Sequence, residues 1–173
     1  MSSAPSPSVT LVLGGTRSGK SAIAERLAAA LAREDGEGTT TYVATAQVTD
    51  EDMARRVAAH RARRPASWST VEVRSSAELP SLLARLHGVA LVDSLGPWVA
   101  SAPGMDVDEQ ALVTALQRRQ GSTVVVTEEV GLAVHPLTAA GRAFVDALGH
   151  LNQAVASVAD RVLLVVAGRV MEL

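Results

Sequence analysis

The chain has 173 residues, 47% of them hydrophobic and 20% charged, a size and balance that fit one globular domain with a substantial core and exclude wholesale disorder. A formal net charge of −2 and an aromatic content of 2% exclude the basic field and stacking rings of a nucleic-acid platform. The absence of cysteine excludes disulfides, thiolate metal sites and a cysteine nucleophile, and no apolar run reaches the length of a membrane span.

Residues 1–8 carry serines and prolines but neither the basic region nor the apolar core of a signal sequence, so they read as a disordered tail on a cytoplasmic protein. Residues 9–173 are expected to form a single nucleotide-binding domain. Six β-rich apolar runs follow in order: Val9–Leu13, Thr39–Thr45, Ser69–Val73, Val89–Ser94, Thr123–Glu128 and Val162–Ala167. Helical patterns lie between most of them, at Ser21–Arg33, Asp50–Arg61, Ala77–His87, Val107–Gln120 and Thr138–Ala159. Glu34–Gly38 and Ser101–Gly104 read as loops, and Gly168-Arg169 as a turn into an antiparallel edge strand, Val170–Leu173. The alternation predicts an α/β fold with a mostly parallel sheet and helices on both faces. Ligands of such sheets bind beyond the carboxyl ends of the strands.

The first strand leads into Gly14-Gly15-Thr16-Arg17-Ser18-Gly19-Lys20-Ser21, which matches the P-loop pattern G-x-x-x-x-G-K-[ST] in the required order of strand, loop and helix. Lys20 is the one lysine in a chain whose other fifteen basic residues are arginine. A P-loop wraps backbone N–H groups around phosphates, and a compact ammonium on a flexible stem then reaches the β- and γ-phosphates, where a broad guanidinium would not fit. Ser21 supplies a hydroxyl for Mg2+, and the start of the following helix adds partial positive charge.

Four further places carry possible chemistry. The second strand ends in Ala44-Thr45-Ala46, small enough for a nucleotide to approach, though a polar strand cap explains it equally. His60, Arg61, Ala62, Arg63 and Arg64 follow an acidic first turn. They suit a solvated basic helix end, or an imidazole that attacks a phosphate whose charge the guanidiniums offset. Glu72 ends the third strand, where a carboxylate can accept two hydrogen bonds from guanine and none of that pattern from adenine. Asp93 ends Val89-Ala90-Leu91-Val92-Asp93, a Walker B pattern that places an acid near the metal. Glu129 is placed to orient a substrate or to cap a turn; His87, His135 and His150 have no common spacing and read as structural or surface groups.

Taken together, GGTRSGKS, YVAT, HRARRPASW, LVDSL, TEEVG and GRAFVDALGHLNQAVASVADRVLLVV resemble, in that order from Leu11 to Val166, the bifunctional adenosylcobinamide kinase and adenosylcobinamide-phosphate guanylyltransferase family of cobalamin synthesis. The resemblance implies a RecA-like P-loop NTPase fold, Mg2+, and GTP or ATP with a corrinoid as substrates. It implies phosphorylation of the aminopropanol hydroxyl of adenosylcobinamide, then transfer of GMP from GTP through a guanylylated histidine, which His60 matches. Gly14–Ser21, Ala44–Ala46, Arg61–Arg64, Glu72 and Asp93 match nucleotide-contacting positions, Ser21 and Asp93 the metal side. The resemblance also suggests a homo-oligomer, such as a trimer, with no nucleic acid and no membrane span. The family usually shows Asn-Glu-Val-Gly where this chain has Glu128-Glu129-Val130-Gly131, and Gly-Ile-Val-Pro-Glu where it has Ala133-Val134-His135-Pro136-Leu137. On the residues alone, another small-molecule P-loop kinase with a structural His60 and a nucleotide-sensing P-loop regulator remain open.

Overall fold

A computed structural model describes residues 6–36, 39–46, 51, 55, 58, 61–62 and 64–173 of the chain. Among these residues the strands are β1 (Val9–Gly14), β2 (Thr40–Ala44), β3 (Ser69–Glu72), β4 (Val89–Asp93), β5 (Thr123–Glu128), β6 (Arg161–Val166) and β7 (Arg169–Glu172). They form one sheet in the order β3-β2-β4-β5-β1-β6-β7. The first six strands run parallel, and β7 returns antiparallel along β6.

The sheet divides two apolar layers by strand parity. Val12, Leu91, Val124 and Val126 face α1 (Lys20–Glu34), which meets them with Ile23, Ala24, Ala28 and Ala32. Alanine gives this helix both high propensity and a thin face that packs closely on the strands. Leu11, Leu13, Val92 and Val125 face the opposite layer. That layer holds α2 (Glu78–Leu83), α3 (Leu95–Ser101), α4 (Glu109–Arg118) and α5 (Ala139–Ala156). In α5, Leu148, Leu151 and Val155 form the buried stripe. Two helices start on side-chain caps: Asp108 accepts from Ala111 N at 2.8 Å, and Thr138 from Gly141 N at 3.1 Å.

The expected elements are present with shifted ends, and α3 is an addition. Its start, Leu95-Gly96-Pro97, has poor helix propensity, but Pro97 lies in the first turn, where a missing N–H is tolerated. Burial of Leu95, Trp98 and Val99, with Trp98 Nε1 donating to Ser76 O at 3.0 Å, stabilises it. α2 is shorter than the expected Ala77–His87, and a 3-10 turn at Pro103–Met105 occupies the expected loop. The β6–β7 turn falls on Ala167 and Gly168, both at positive φ (50° and 75°), the geometry of a tight two-residue hairpin. Of the expected helix Asp50–Arg61, the described positions Glu51, Arg55, Ala58 and Arg61 are helical, as is Ala62. His60 and Arg63 lie outside the described residues. Ser8 is tied into the sheet through its carbonyl, which accepts from Thr123 N at 2.7 Å.

Candidate active site

The P-loop leaves β1 at Gly14, which is buried and closely approached: an added Cβ would overlap Ser18 Oγ and Val165 O. Ser18 N donates to Gly15 O at 3.2 Å, and Gly168 N of the β6–β7 turn donates to Ser18 O at 2.8 Å. Arg17 (φ 58°) and Gly19 (φ 96°) adopt the left-handed region, so the chain curls before α1 begins at Lys20. Gly15, Thr16 and Arg17 are exposed at the rim.

Strand parity decides which acids reach this loop. Val89, Leu91 and Asp93 point to the α1 side of β4, and Val124, Val126 and Glu128 to the α1 side of β5. The structure brings Asp93 to Ser21, whose hydroxyl lies 3.4 Å from Asp93 Oδ1. Tyr42, buried on β2, donates to Asp93 Oδ2 at 2.9 Å. Burial, followed by the charge of Asp93 and the hydrogen bond to it, pushes the Tyr42 pKa up, so the phenol keeps its proton and remains a donor. Arg64 stacks over the Tyr42 ring at 3.7 Å from its centroid and donates to Thr70 Oγ1 at 3.1 Å. Arg64 therefore joins the site through an aromatic residue that sequence reading passed over.

Glu128 is the larger surprise. Its backbone is level with Gly14. Its Oε1 lies 3.6 Å from Lys20 Nζ and accepts from Ser94 Oγ at 2.9 Å; its Oε2 accepts from Gly96 N at 3.0 Å. Lys20 Nζ also donates to Gly15 O at 3.4 Å. Glu129, for which the sequence leaves a substrate-orienting role and a turn both open, accepts from Gly131 N at 2.6 Å and Leu132 N at 3.2 Å, closing its own turn. Behind Glu128, Asn152 Nδ2 donates to its carbonyl at 3.0 Å, and Asn152 Oδ1 accepts from Thr127 Oγ1 at 2.7 Å.

The remaining candidates lie along the carboxyl edge. Thr45 is buried, with its hydroxyl donating to Ser94 O, and Ala44 and Ala46 are half-buried beside it. Ala44 is in register with Asp93 on one side and Glu72 on the other. Glu72 is exposed on the edge strand, two strand positions from Asp93, or about 10 Å at the usual spacing. Arg61 and Ala62 are exposed. After β5, Leu132, Val134 and Leu137 are 81%, 93% and 95% exposed, an apolar loop beside the site.

The cobinamide kinase / cobinamide phosphate guanyltransferase family matches residues 10–173. The chain belongs to that family. It is 42% identical over 177 residues to the bifunctional adenosylcobalamin biosynthesis protein CobP of Pseudomonas aeruginosa, covering 94% of this chain and 95% of that protein. It is 35% identical over 179 residues to the corresponding protein CobU of Salmonella typhimurium, covering 91% and 95%. Among solved structures it is similar to a KaiC-like protein from Pyrococcus horikoshii OT3, with a TM-score of 0.58 at 17% identity, covering 92% of this chain and 73% of that one. It is likewise similar to the flagellar accessory protein FlaH from Methanocaldococcus jannaschii, with a TM-score of 0.55 at 14% identity, covering 96% and 76%. These likenesses establish the RecA-like P-loop α/β fold. Family membership makes the chain an enzyme of adenosylcobalamin biosynthesis with kinase and guanylyltransferase activities.

Proposed function

We propose that the chain phosphorylates the aminopropanol hydroxyl of adenosylcobinamide at the P-loop and then transfers GMP to the new phosphate through a covalent adduct on His60. The observation that carries the reading is the convergence of Lys20, Ser21, Asp93 and Glu128 at the carboxyl end of β1, β4 and β5. Such a constellation has the parts of a phosphoryl-transfer centre: an ammonium for the β- and γ-phosphates, and a hydroxyl beside a carboxylate for a hard cation.

The oxygen pair of Ser21 and Asp93 suits Mg2+, which takes one or two protein oxygens and completes its shell with phosphates and water. Bound there, Mg2+ supplies charge neutralisation to the phosphates. Tyr42 holds the second oxygen of Asp93, which keeps the carboxylate turned toward Ser21. From phosphates near Asp93, the span of about 10 Å to Glu72 suits ribose and base, so we assign guanine selection to Glu72. Arg61, Arg63 and Arg64 offset charge on the α-phosphate and on departing pyrophosphate. Apolar Leu132, Val134 and Leu137 offer a face to the bulky corrinoid.

In the guanylyl step, an imidazole nitrogen of His60 forms a bond to the α-phosphorus, and the bond to the bridging oxygen breaks. Pyrophosphate leaves with the electron pair. The phosphate of the corrinoid then displaces the histidine and restores it. Incubation with GTP labelled at the α-phosphate, followed by denaturation and intact-mass measurement, tests this. One added GMP is expected in the natural chain and none in His60→Ala. A P–N linkage is acid-labile and base-stable, unlike an ester to serine or threonine. An adduct that persists in His60→Ala moves the nucleophile elsewhere; a folded, GTP-binding chain that never forms one reduces the protein to a kinase.

A further inference from the structure

We propose that Glu128 binds the acceptor hydroxyl at the kinase centre and takes its proton as the phosphoryl group transfers. Four observations converge on this carboxylate. It sits 3.6 Å from the Lys20 ammonium, next to where the transferred phosphate must lie. Its side chain is 27% exposed, so an acceptor can reach it from solvent. Both oxygens are held, one by Ser94 Oγ at 2.9 Å and the other by Gly96 N at 3.0 Å, while Asn152 fixes the carbonyl behind it. The start of α3 is shaped around it, because a Cβ at Gly96 would overlap Oε2.

The other acids near the edge are committed elsewhere. Asp93 is turned to Ser21 and Tyr42. Glu129 closes the turn at Gly131, and Glu72 stands on the edge strand. Among the described residues, Glu128 is the carboxylate beside the P-loop lysine.

The step balances without a further reagent. The acceptor oxygen forms a bond to the γ-phosphorus while its proton passes to Glu128, and the bond from that phosphorus to the β–γ bridging oxygen breaks. The nucleoside diphosphate leaves with the electron pair, its charge met by Lys20. Glu128 then returns the proton to solvent through its exposed edge.

Glu128→Gln keeps the shape and removes the base. Its kinase kcat should fall about 100-fold, the low end for general-base catalysis because a loose phosphoryl-transfer transition state demands little of the base. The KM values for nucleotide and cobinamide should stay within about threefold. Guanylyl transfer to separately prepared cobinamide phosphate should also stay within about threefold, since that acceptor brings no proton to remove. Gly96→Ala keeps the carboxylate and displaces it; its kinase kcat should fall at least about tenfold without a matching loss of guanylyl transfer. A Glu128→Gln kinase kcat within about threefold of the natural chain overturns the proposal, as does an equal loss of both activities or a rise in nucleotide KM at constant kcat.

Discussion

Asn152 joins α5 to the strand end that carries Glu128, and replacing it by leucine tests whether that joint is built as described. Asn152 is 7% exposed and Thr127 fully buried. The amide uses both its ends, accepting from Thr127 Oγ1 at 2.7 Å and donating to Glu128 O at 3.0 Å. Leucine keeps the heavy-atom count and the branch at Cγ but is bulkier, and it strands a buried hydroxyl and a carbonyl. Each unsatisfied group costs about 1–3 kcal/mol, and the added apolar burial returns part, leaving a net loss of about 2–4 kcal/mol. For a domain of this size the melting temperature should drop by about 5–12 °C. Combining Asn152→Leu with Thr127→Val removes the stranded hydroxyl and should recover about 1–2 kcal/mol, a coupling that independent sites do not show. Thermal and urea unfolding of the four proteins in the cycle give the numbers. A shift below about 2 °C for Asn152→Leu, or strict additivity of the two changes, would refute the argument.

Three further outcomes follow from the same geometry. Lys20→Ala should weaken GTP binding in isothermal titration and lower kinase turnover at least about 100-fold, because the ammonium neutralises the transferred phosphate. Glu72→Gln should lose about 10–100-fold of the preference for GTP over ATP in adduct formation, since an amide offers one acceptor where the carboxylate offers two; unchanged selectivity moves base recognition elsewhere. Arg119 donates to the carbonyls of Gly88, Gly121 and Ser122 and to Thr123 Oγ1. Arg119→Met takes the guanidinium from the Gly88 and Gly121 carbonyls at the start of β4 and β5, while Ser122 O keeps its bond from Ala90 N, and should cost about 2–4 kcal/mol in urea unfolding. Burial pushes the Arg119 pKa down to about 10. The proton is thus held less tightly in the folded chain than in the unfolded one, and the contribution of this group to stability is flat below pH 10 and rises only above it.

Much of this frame is legible in the sequence, and the reasons are local. The P-loop announces itself because its two fixed glycines answer local demands, the close approach at Gly14 and the left-handed turn at Gly19. The central strands are legible because a sheet covered on both faces makes them continuously aliphatic. Asp93 is legible as a strand-ending acid, and parity supplies the rest: two residues on from Leu91 and four from Val89, it faces the helix that begins at Lys20. The same rule applied to Val124 and Val126 selects Glu128 over Glu129.

Gly96 shows where local reading ends. A glycine in the first turn of a helix costs about 0.5–1 kcal/mol relative to alanine and, next to Pro97, argues against any helix at all. Its reason lies 32 positions away, at the carboxylate of Glu128 that fills the space a side chain would need. Ser94 and Gly96 on one side and Glu128 on the other make sense only as a set, and the set forms because β4 and β5 are neighbours in the sheet. The local penalty at α3 and the seat of Glu128 are then two halves of one adjustment. Gly96→Ala gains at most about 1 kcal/mol of helix propensity, but its Cβ displaces a carboxylate held by Gly96 N and Ser94 Oγ, hydrogen bonds to a charged group worth about 1.5–3 kcal/mol each. Stability in urea unfolding and kinase rate should therefore fall together, and a chain that gains stability from this change refutes the seat described for Glu128.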